Sequence, residues 1–263
     1  MNIGMIGVGA IGTFVREHLE GRGHTLRALL VRPERVSELA LRFPDTLCAE
    51  SVSGLPDDLD LMIDCAGQAA LKHHGPGILR RGIDLTTVSI GALADADLHR
   101  ELERAAAEGD ATLYLASGAI GALDCLRAAR TAKLQAVTYT GRKPPEGWKG
   151  SPAEGRLDLE TLTDGEVVHF EGSARDAATR YPKNANVAAA VALAGVGMDD
   201  TRVRLIADPS IDQNIHEVVA KGDFGEFAFE IRGHALPDNP RSSALAAMSV
   251  VSQVEELSQR IRF

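Results

Sequence analysis

A glycine triplet spaced GxGxxG occupies residues 7–12, directly after the apolar residues 3–6 and before a helical pattern over residues 13–20. Such a triplet alone arises by chance. Between a strand and a helix, however, it permits a tight turn and lets the backbone approach a pyrophosphate at the helix N-terminus. The pattern therefore predicts a dinucleotide-binding βαβ unit here. Four residues of the loop are expected to contact the dinucleotide: Gly7, Gly9, Ala10 and Ile11.

Strand-like and helix-like segments continue to alternate through the first half of the chain, which predicts βαβ units and a parallel sheet. Residues 142–155 hold three prolines and are expected to form a loop. β-Branched runs dominate the second half, before a helical pattern at the end. We expect an α/β protein of two domains. The first is a Rossmann dinucleotide-binding domain (residues 1–130, with the helix of residues 242–263 packing back on it), and the second is a mixed α+β substrate or dimerisation domain (residues 131–241).

Charge and cysteine content exclude several classes of protein. The chain carries 28 Lys and Arg against 37 Asp and Glu, a net charge of −9, whereas sequence-independent binding of nucleic acid needs a basic surface. The three cysteines form no CxxC pair, so neither a disulfide framework nor a thiolate metal site is predicted. The sequence shows no signal-peptide pattern and no apolar run of about 20 residues. We expect a cytoplasmic protein that binds no metal, no nucleic acid and no membrane.

The end of the second predicted strand bears on the choice of cofactor. NAD enzymes usually place an acidic side chain there, about 20 residues after the glycine loop, whereas this chain has Arg32 and Arg35. Arginine suits a 2′-phosphate through bidentate charge-assisted hydrogen bonds. The alternative interpretation is that this arginine is a solvated surface residue. NADP is therefore favoured, NAD stays open, and Arg32 is the predicted contact. After a later parallel strand, Cys65 and Ala66 are expected to line the cofactor cleft with their backbone.

Two segments of the second half carry a more specific pattern. Residues 180–189 read RYPKNANVAA, and residues 208–217 read DPSIDQNIHE. Together with SGAIG at residues 117–121 and the glycine loop, they resemble the L-aspartate dehydrogenase family over nearly the whole chain. The resemblance implies NAD(P)-dependent oxidative deamination of L-aspartate to iminoaspartate, then oxaloacetate and ammonia, and the reverse reductive amination. It also implies a place in pyridine nucleotide synthesis or in aspartate catabolism.

The resemblance further implies roles for individual residues. The catalytic histidine of the family maps onto His216 in the NIHE segment. The family's contacts to the nicotinamide end of the cofactor map onto Ala119 and Ile120 in the SGAIG turn and onto Asn186. Asn186 also begins an apolar run, where an amide side chain is a natural helix cap, and the two roles are compatible.

Residue chemistry supports His216 as a general acid and base. Imine formation by hydride loss needs a neutral amine, and imine hydrolysis needs an activated water. A histidine with a pKa of ~6.5 suits both proton transfers, while a buried structural histidine is the alternative interpretation. The adjacent Glu217 points to the opposite face of a strand, so Asp208 or Asp212 is the expected orienting partner of His216.

A dicarboxylate substrate needs cations to bind it. Five basic residues lie in segments of the second domain that are able to face the substrate, and Lys183 is favoured because it lies inside the matched motif. The five are Arg142, Lys143, Arg175, Arg180 and Lys183.

Two other functions stay open on the sequence. One is another two-domain NAD(P) dehydrogenase, for example of the homoserine type. The other is a non-catalytic NAD(P)-sensing module, against which the presence of both Asn186 and His216 argues. Because second domains of this kind commonly pair through their sheets, a homodimer is expected.

Overall fold

The computed structural model describes residues 1–182, 186–236 and 239–262. The chain forms two compact units, residues 1–116 with 247–263 and residues 117–246. No helix in the described ranges is long and apolar enough to cross a bilayer. Within the same ranges, no group of three or more His, Cys, Asp or Glu side chains is arranged to hold a metal ion.

A parallel sheet forms the centre of the first unit. Its strands are β1 (Asn2–Ile6), β2 (Thr25–Leu30), β3 (Leu47–Ala49), β4 (Leu61–Asp64), β5 (Asp84–Thr87) and β6 (Leu113–Leu115). They lie in the order β3-β2-β1-β4-β5-β6, and each neighbouring pair is parallel. Ile3, Met5 and Ile63 are fully buried, as strands covered on both faces require. This order is that of a Rossmann sheet, and the predicted fold is confirmed.

Helices connect these parallel strands. They are α1 (Ala10–Glu20), α2 (Val36–Arg42), α3 (Gln68–Arg80) and α4 (Ala96–Gly109). β1 and β4 lie side by side at the centre of the sheet. From β1 the chain continues to β2 on one side, and from β4 it continues to β5 on the other side, so the strand order reverses between them. Ligands of open α/β sheets bind at such a switch point, at the carboxyl ends of the strands. The glycine loop and the turn after β4 both lie there.

The second unit is built around a mixed sheet. Its elements are α5 (Leu123–Ala129), β7 (Leu134–Lys143), β8 (Val167–Ser173), α6 (Ala174–Arg180), α7 (Asn186–Ala194), β9 (Arg202–Ala207), β10 (Asn214–Gly222), β11 (Gly225–Gly233), β12 (Ala235–Leu236) and β13 (Asn239–Ser243). The main sheet has the order β11-β10-β7-β9-β8. β7 is antiparallel to β10 and parallel to β9, so it forms the centre of the sheet.

The structure corrects the expected loop at residues 142–155. β7 continues through Lys143, because Arg142 pairs with Ile215 on β10 and Lys143 pairs with Ala207 on β9. Proline 144 ends the strand, since proline has no N–H to donate to a sheet. Two residues assigned to a loop therefore belong to the central strand of the sheet.

The final helix, α8 (Ala244–Ser258), carries the C-terminal part of the chain. Its Glu255 lies 2.8 Å through Oε1 from Nε2 of the buried His24, which precedes β2. This pair ties the end of α8 to the parallel sheet within the first unit.

Candidate active site

The glycine loop between β1 and α1 has a backbone that requires glycine at two positions. Gly7 has φ +86°, in the left-handed region that side chains disfavour, and a Cβ there would lie 2.8 Å from Cβ of Ala66. A Cβ on Gly12 would lie 2.4 Å from the carbonyl oxygen of Gly7. The loop therefore packs tightly against itself and against the turn after β4.

Gly9 differs from the other two glycines and indicates where a ligand fits. Its φ of −74° suits any residue, and a Cβ there would meet no atom within 4 Å. Neither the backbone nor the packing requires glycine at this position. No side chain caps the start of α1, so its first N–H groups remain for an outside acceptor. The open space fits the close approach of a dinucleotide pyrophosphate.

A buried carboxylate shapes the turn after β4. Asp64 accepts hydrogen bonds from Oγ1 of Thr87 at 2.8 Å, from Oγ of Ser89 at 2.7 Å and from the backbone N–H of Ala66 at 2.9 Å. Burial raises the pKa of this carboxyl, although these hydrogen bonds lower it. Burial also raises the pKa of the Cys65 thiol, which leaves it protonated and inert as a nucleophile at neutral pH. The positioning role of Asp64 was not predicted, although an acidic residue at the end of an apolar strand is a signal for it.

Arg32 follows β2, and its side chain is 77% exposed. Its guanidinium nitrogen lies 3.3 Å from Oε1 of Glu34, an exposed ion pair of the kind that contributes little energy. The guanidinium can therefore turn to a ligand at low cost. Its contact with a 2′-phosphate stays a prediction.

The other predicted cofactor contacts belong to the second unit. Ala119 and Ile120 are buried in the turn that precedes α5, and Asn186 is the first residue of α7. Their roles also stay predictions. Lys183, the favoured substrate cation, lies outside the described residues.

His216 lies on β10, opposite Gly141 on β7. The residue is 4% exposed, and Nδ1 lies 2.7 Å from the hydroxyl oxygen of Tyr139, its hydrogen-bond partner among the described residues. Burial, and after it the positive charge of Lys143, lowers the pKa of His216 to about 3. The imidazole is therefore neutral at physiological pH, which is the form that accepts a proton.

A glycine on β7 lets Tyr139 reach this histidine. Tyr139, Gly141 and Lys143 share one face of the strand because side chains alternate. A Cβ on Gly141 would lie 2.7 Å from the hydroxyl oxygen of Tyr139, so the missing side chain leaves room for the phenol. Burial raises the pKa of the Tyr139 hydroxyl. The hydroxyl stays protonated and is able either to donate to Nδ1 of His216 or to accept from it.

Lys143 places a buried ammonium on the same face of the sheet. The residue is 8% exposed, and Nζ lies 5.2 Å from the ring centroid of Trp148, within the range of a cation–π interaction. The indole N–H of Trp148 donates to the carbonyl of Ile206 at 3.0 Å, which fixes the ring. Burial lowers the pKa of Lys143 to about 8, so most of the population stays charged at pH 7.

A second buried histidine lies on β8. His169 is 3% exposed, its Nδ1 lies 3.2 Å from the hydroxyl oxygen of Tyr181, and its ring packs edge-on against Trp148 at 4.3 Å between centroids. Nε2 is buried with no hydrogen-bond partner among the described residues. Burial, followed by the charge of Arg156, lowers the pKa of His169 to about 4. His169 was not among the residues predicted from the sequence.

The predicted orienting partner of His216 was wrong. Asp208 accepts from the hydroxyl and backbone N–H of Ser210 at 2.6 and 2.9 Å and from Arg142 at 3.0 Å, and the hydrogen bond from Ser210 is the main cause of its lowered pKa. Asp212 makes no hydrogen bond to His216 either, because Tyr139 occupies Nδ1. A tyrosine in an apolar strand is usually core, so no sequence signal distinguished it.

Other candidate cations of the second unit contact acids on the protein itself. Arg142 pairs with Asp208 and with Glu166. Arg175 pairs with the exposed Asp199 at 2.6 Å, and Arg180 is exposed. Lys143 thus stands apart from these arginines by its burial and by its position beside His216.

Two family models match the chain. Residues 124–257 match the C-terminal domain of aspartate dehydrogenase. Residues 7–116 match the NAD binding domain of homoserine dehydrogenase. The second match supports a nicotinamide dinucleotide at the glycine loop.

Relatives match over the full length. The L-aspartate dehydrogenase of Ruegeria pomeroyi is 52% identical over 262 residues, covering 100% of this chain and 94% of that protein. The L-aspartate dehydrogenase of Pseudomonas aeruginosa is 46% identical and covers 95% of each chain.

Among solved structures, aspartate dehydrogenase from Thermotoga maritima superposes with a TM-score of 0.79 at 27% identity, covering 100% of this chain and 99% of that one. A hyperthermophilic archaeal homoserine dehydrogenase in complex with NADPH gives a TM-score of 0.61 at 11% identity, covering 99% and 98%. The second likeness shows a shared fold alone.

Proposed function

This chain belongs to the L-aspartate dehydrogenase family, and we propose that it catalyses the reversible NAD(P)-dependent oxidative deamination of L-aspartate. The products are iminoaspartate, then oxaloacetate and ammonia. The observation that carries the proposal is the neutral, buried imidazole of His216, held through Nδ1 by Tyr139.

His216 handles the protons of this reaction. With Nδ1 engaged by Tyr139, Nε2 is the nitrogen left for the substrate. The neutral imidazole takes a proton from the substrate ammonium, which leaves the free amine whose lone pair forms the C=N bond as Cα loses its hydride. The bound oxidised cofactor supplies the acceptor for that hydride. After the ring has released that proton to solvent, Nε2 takes a proton from the water that attacks the imine carbon, and it then gives this proton to the nitrogen that leaves as ammonia.

Tyr139 allows His216 to work in both directions. When Nδ1–H donates to the tyrosine hydroxyl, Nε2 is bare and acts as a base. Once Nε2 has gained a proton, the same hydroxyl still accepts from Nδ1–H and so stabilises the charged ring. The pair therefore supports both the acid and the base step of a reversible reaction.

The cofactor site is supported by the packing of the glycine loop. The open space at Gly9 and the start of α1, which no side chain caps, suit a pyrophosphate. Arg32, at the end of β2, suits a 2′-phosphate. The proposed cofactor contacts are Gly7, Gly9, Ala10, Ile11, Arg32, Cys65, Ala66, Ala119, Ile120 and Asn186.

The first test follows the absorbance of reduced cofactor with oxaloacetate, with and without ammonium. We expect oxidation of NADPH or NADH only with ammonium present, as reductive amination demands. Oxidation without ammonium would instead indicate a keto reductase. L-Homoserine is the matched competing substrate because residues 7–116 match a homoserine dehydrogenase domain, and turnover of homoserine without turnover of aspartate would overturn the proposal.

The same assay measures the choice of cofactor. Arg32→Ala should lower the ratio of kcat/KM for NADPH to that for NADH by about tenfold, the loss expected for a charge-assisted hydrogen bond. Arg35→Ala is the control, because Arg35 already pairs with Glu38 at 2.7 Å. Equal ratios in the wild type and in Arg32→Ala would remove Arg32 from the cofactor site.

We propose further that the chain acts in the cytoplasm as a homodimer. β11 supports the dimer because it is an edge strand of nine residues whose outer backbone groups are available to pair with a second copy. Light scattering after gel filtration decides the point, and a monomer at assay concentration would contradict it.

A further inference from the structure

The ammonium of Lys143 takes no part in the proton transfers above, yet it shares a sheet face with His216. We infer that Lys143 is a substrate-binding residue, whose ammonium holds a carboxylate of the dicarboxylic substrate beside the imidazole of His216. The inference rests on the proposed function, because it concerns the substrate of that reaction.

The strand register places the two groups together. His216 lies opposite Gly141, and Lys143 follows on the same face about 7 Å further along β7 at the usual rise of a strand. The strand on the other side places Ala207, a residue with a small side chain, opposite Lys143. The charge of Lys143 is felt by the imidazole, whose pKa it helps to lower. A short diacid bound by Lys143 is thus held next to the base.

Packing holds the lysine in place before any substrate arrives. A Cβ on Gly147 would lie 3.1 Å from Cβ and 3.2 Å from Cδ of Lys143, so the backbone of this glycine packs directly on the lysine stem. Trp148 lies against the ammonium, and His169 packs on that indole. Because the stem is already confined, little conformational entropy is lost when a carboxylate binds.

The burial of this cation is costly to the fold. A methionine of similar volume would fill the same space without the desolvation penalty of an ammonium. A bound carboxylate offsets that penalty, and the ammonium in turn supplies the positive charge that a substrate with two carboxylates needs.

Carboxylate binding at Lys143 also makes His216 a better proton acceptor. In the ligand-free protein the lysine charge disfavours a second positive charge on the nearby imidazole. A carboxylate on the ammonium cancels that repulsion, so the imidazole accepts a proton more readily once the substrate is bound. Substrate binding and activation of the base are therefore coupled through one side chain.

Lys143→Met tests the inference in the intact chain. We expect KM for L-aspartate to rise by about 30-fold or more, as when one partner of a buried charge pair is removed, while KM for NADPH stays within about twofold. Lys149→Met is the matched control, since Lys149 is exposed and pairs loosely with Glu160 at 3.8 Å. An unchanged KM for L-aspartate in Lys143→Met overturns the inference. Lys143→Gln replaces the methionine variant if that variant does not fold.

A binding measurement separates this inference from the proposed function. Succinate carries two carboxylates and no amine, so it should raise the Tm of the wild type but not that of Lys143→Met. Equal stabilisation of both proteins by succinate overturns the inference. Failure of the wild type to turn over L-aspartate contradicts the proposed function instead, and the succinate result still decides whether Lys143 binds a dicarboxylate.

A comparison of L-aspartate with L-asparagine identifies which carboxylate is held. If Lys143 binds the side-chain carboxylate, the preference of the wild type for aspartate shrinks in Lys143→Met. If Lys143 binds the α-carboxylate, the variant loses kcat/KM for both substrates by the same factor. An unchanged kcat/KM for both contradicts the inference.

Discussion

The second unit contains two buried histidines, His216 and His169, and each places Nδ1 against a tyrosine hydroxyl. Burial keeps both rings neutral by lowering their pKa values. The pairs differ at the other ring nitrogen. Nε2 of His169 is buried and has no hydrogen-bond partner in the described part of the chain. Nε2 of His216 does not belong to this set of buried atoms without a partner.

The comparison shows how the proposed acid–base histidine differs from one with a structural role. Burial and a tyrosine partner are common to both, so neither property identifies the acid–base residue. His216 has in addition an available nitrogen and a confined ammonium on the same face. His169 instead supports the back of Trp148, the ring on which that ammonium rests. His216 would thus act on the substrate directly, whereas His169 contacts only the indole that packs against Lys143.

The largest expected difference between the pairs is in catalysis. His216→Phe keeps the ring volume and should lower kcat/KM for L-aspartate by about 100-fold or more, as expected when a general acid–base is removed. His169→Phe should keep kcat/KM within about threefold. This swap of similar volume removes the hydrogen bond to Tyr181 and a nitrogen that has no partner among the described residues, and neither takes part in the proposed reaction. Steady-state kinetics, with NADPH affinity measured separately, compare the two variants.

Equal losses in the two phenylalanine variants would break the comparison, because His169 would then act in the reaction as well. Unchanged turnover in His216→Phe would remove His216 from the mechanism. NADPH affinity should stay near that of the wild type in both variants, which separates loss of chemistry from loss of the fold.

The two tyrosines should differ by a smaller factor. Tyr139→Phe removes the hydroxyl that orients His216, and we expect kcat to fall about tenfold, the equivalent of one buried hydrogen bond, with KM for NADPH unchanged. Tyr181→Phe should change kcat less than about twofold while lowering the free energy of unfolding by about 1 kcal/mol. Kinetics and denaturant unfolding of both variants measure the contrast, and a kcat loss in Tyr181→Phe equal to that in Tyr139→Phe would contradict it.

The smallest expected effect is on the pH dependence of stability, which follows from the lowered pKa that the two histidines share. Each has a folded-state pKa well below its ordinary value, so between pH 6.5 and about 4 the unfolded chain binds protons that the folded protein does not. Stability is therefore full above pH 6.5 and is lost as the pH falls. Between pH 7 and 5, each histidine should contribute a loss of about 1–2 kcal/mol in the free energy of unfolding.

His216→Phe and His169→Phe should each reduce this pH dependence by a similar amount, although only one of them reduces activity. Urea unfolding at pH 7 and 5 provides the measurement. The contribution of the exposed carboxylates to the pH dependence is the same in every variant, so it cancels when the variants are compared. A pH dependence unchanged by either substitution would show that the ring concerned gains its proton over the same pH range in the folded protein as in the unfolded chain.

The sequence predicted the first unit more completely than the second. The turn of the glycine loop between strand and helix, the parallel sheet and the family were all confirmed. The short β3 was missed because its three residues are too few to show the alternation of a strand. The end of β7 was missed because its last two residues come directly before a proline. The role of Asp64 was missed because its partners, Thr87 and Ser89, come from a different strand and the turn after it.

The amino-acid sequence by itself determined the dinucleotide loop, since the turn, the helix start and the space at Gly9 depend on six consecutive residues. It also singled out His216, whose proposed role rests on the resemblance of the contiguous residues 208–217 to the family. Only the tertiary structure decided that Tyr139 orients His216 from 77 positions away, and that Lys143 lies on the same face. Those contacts depend on strand register, because a slip of one residue would turn every side chain to the other face of the sheet.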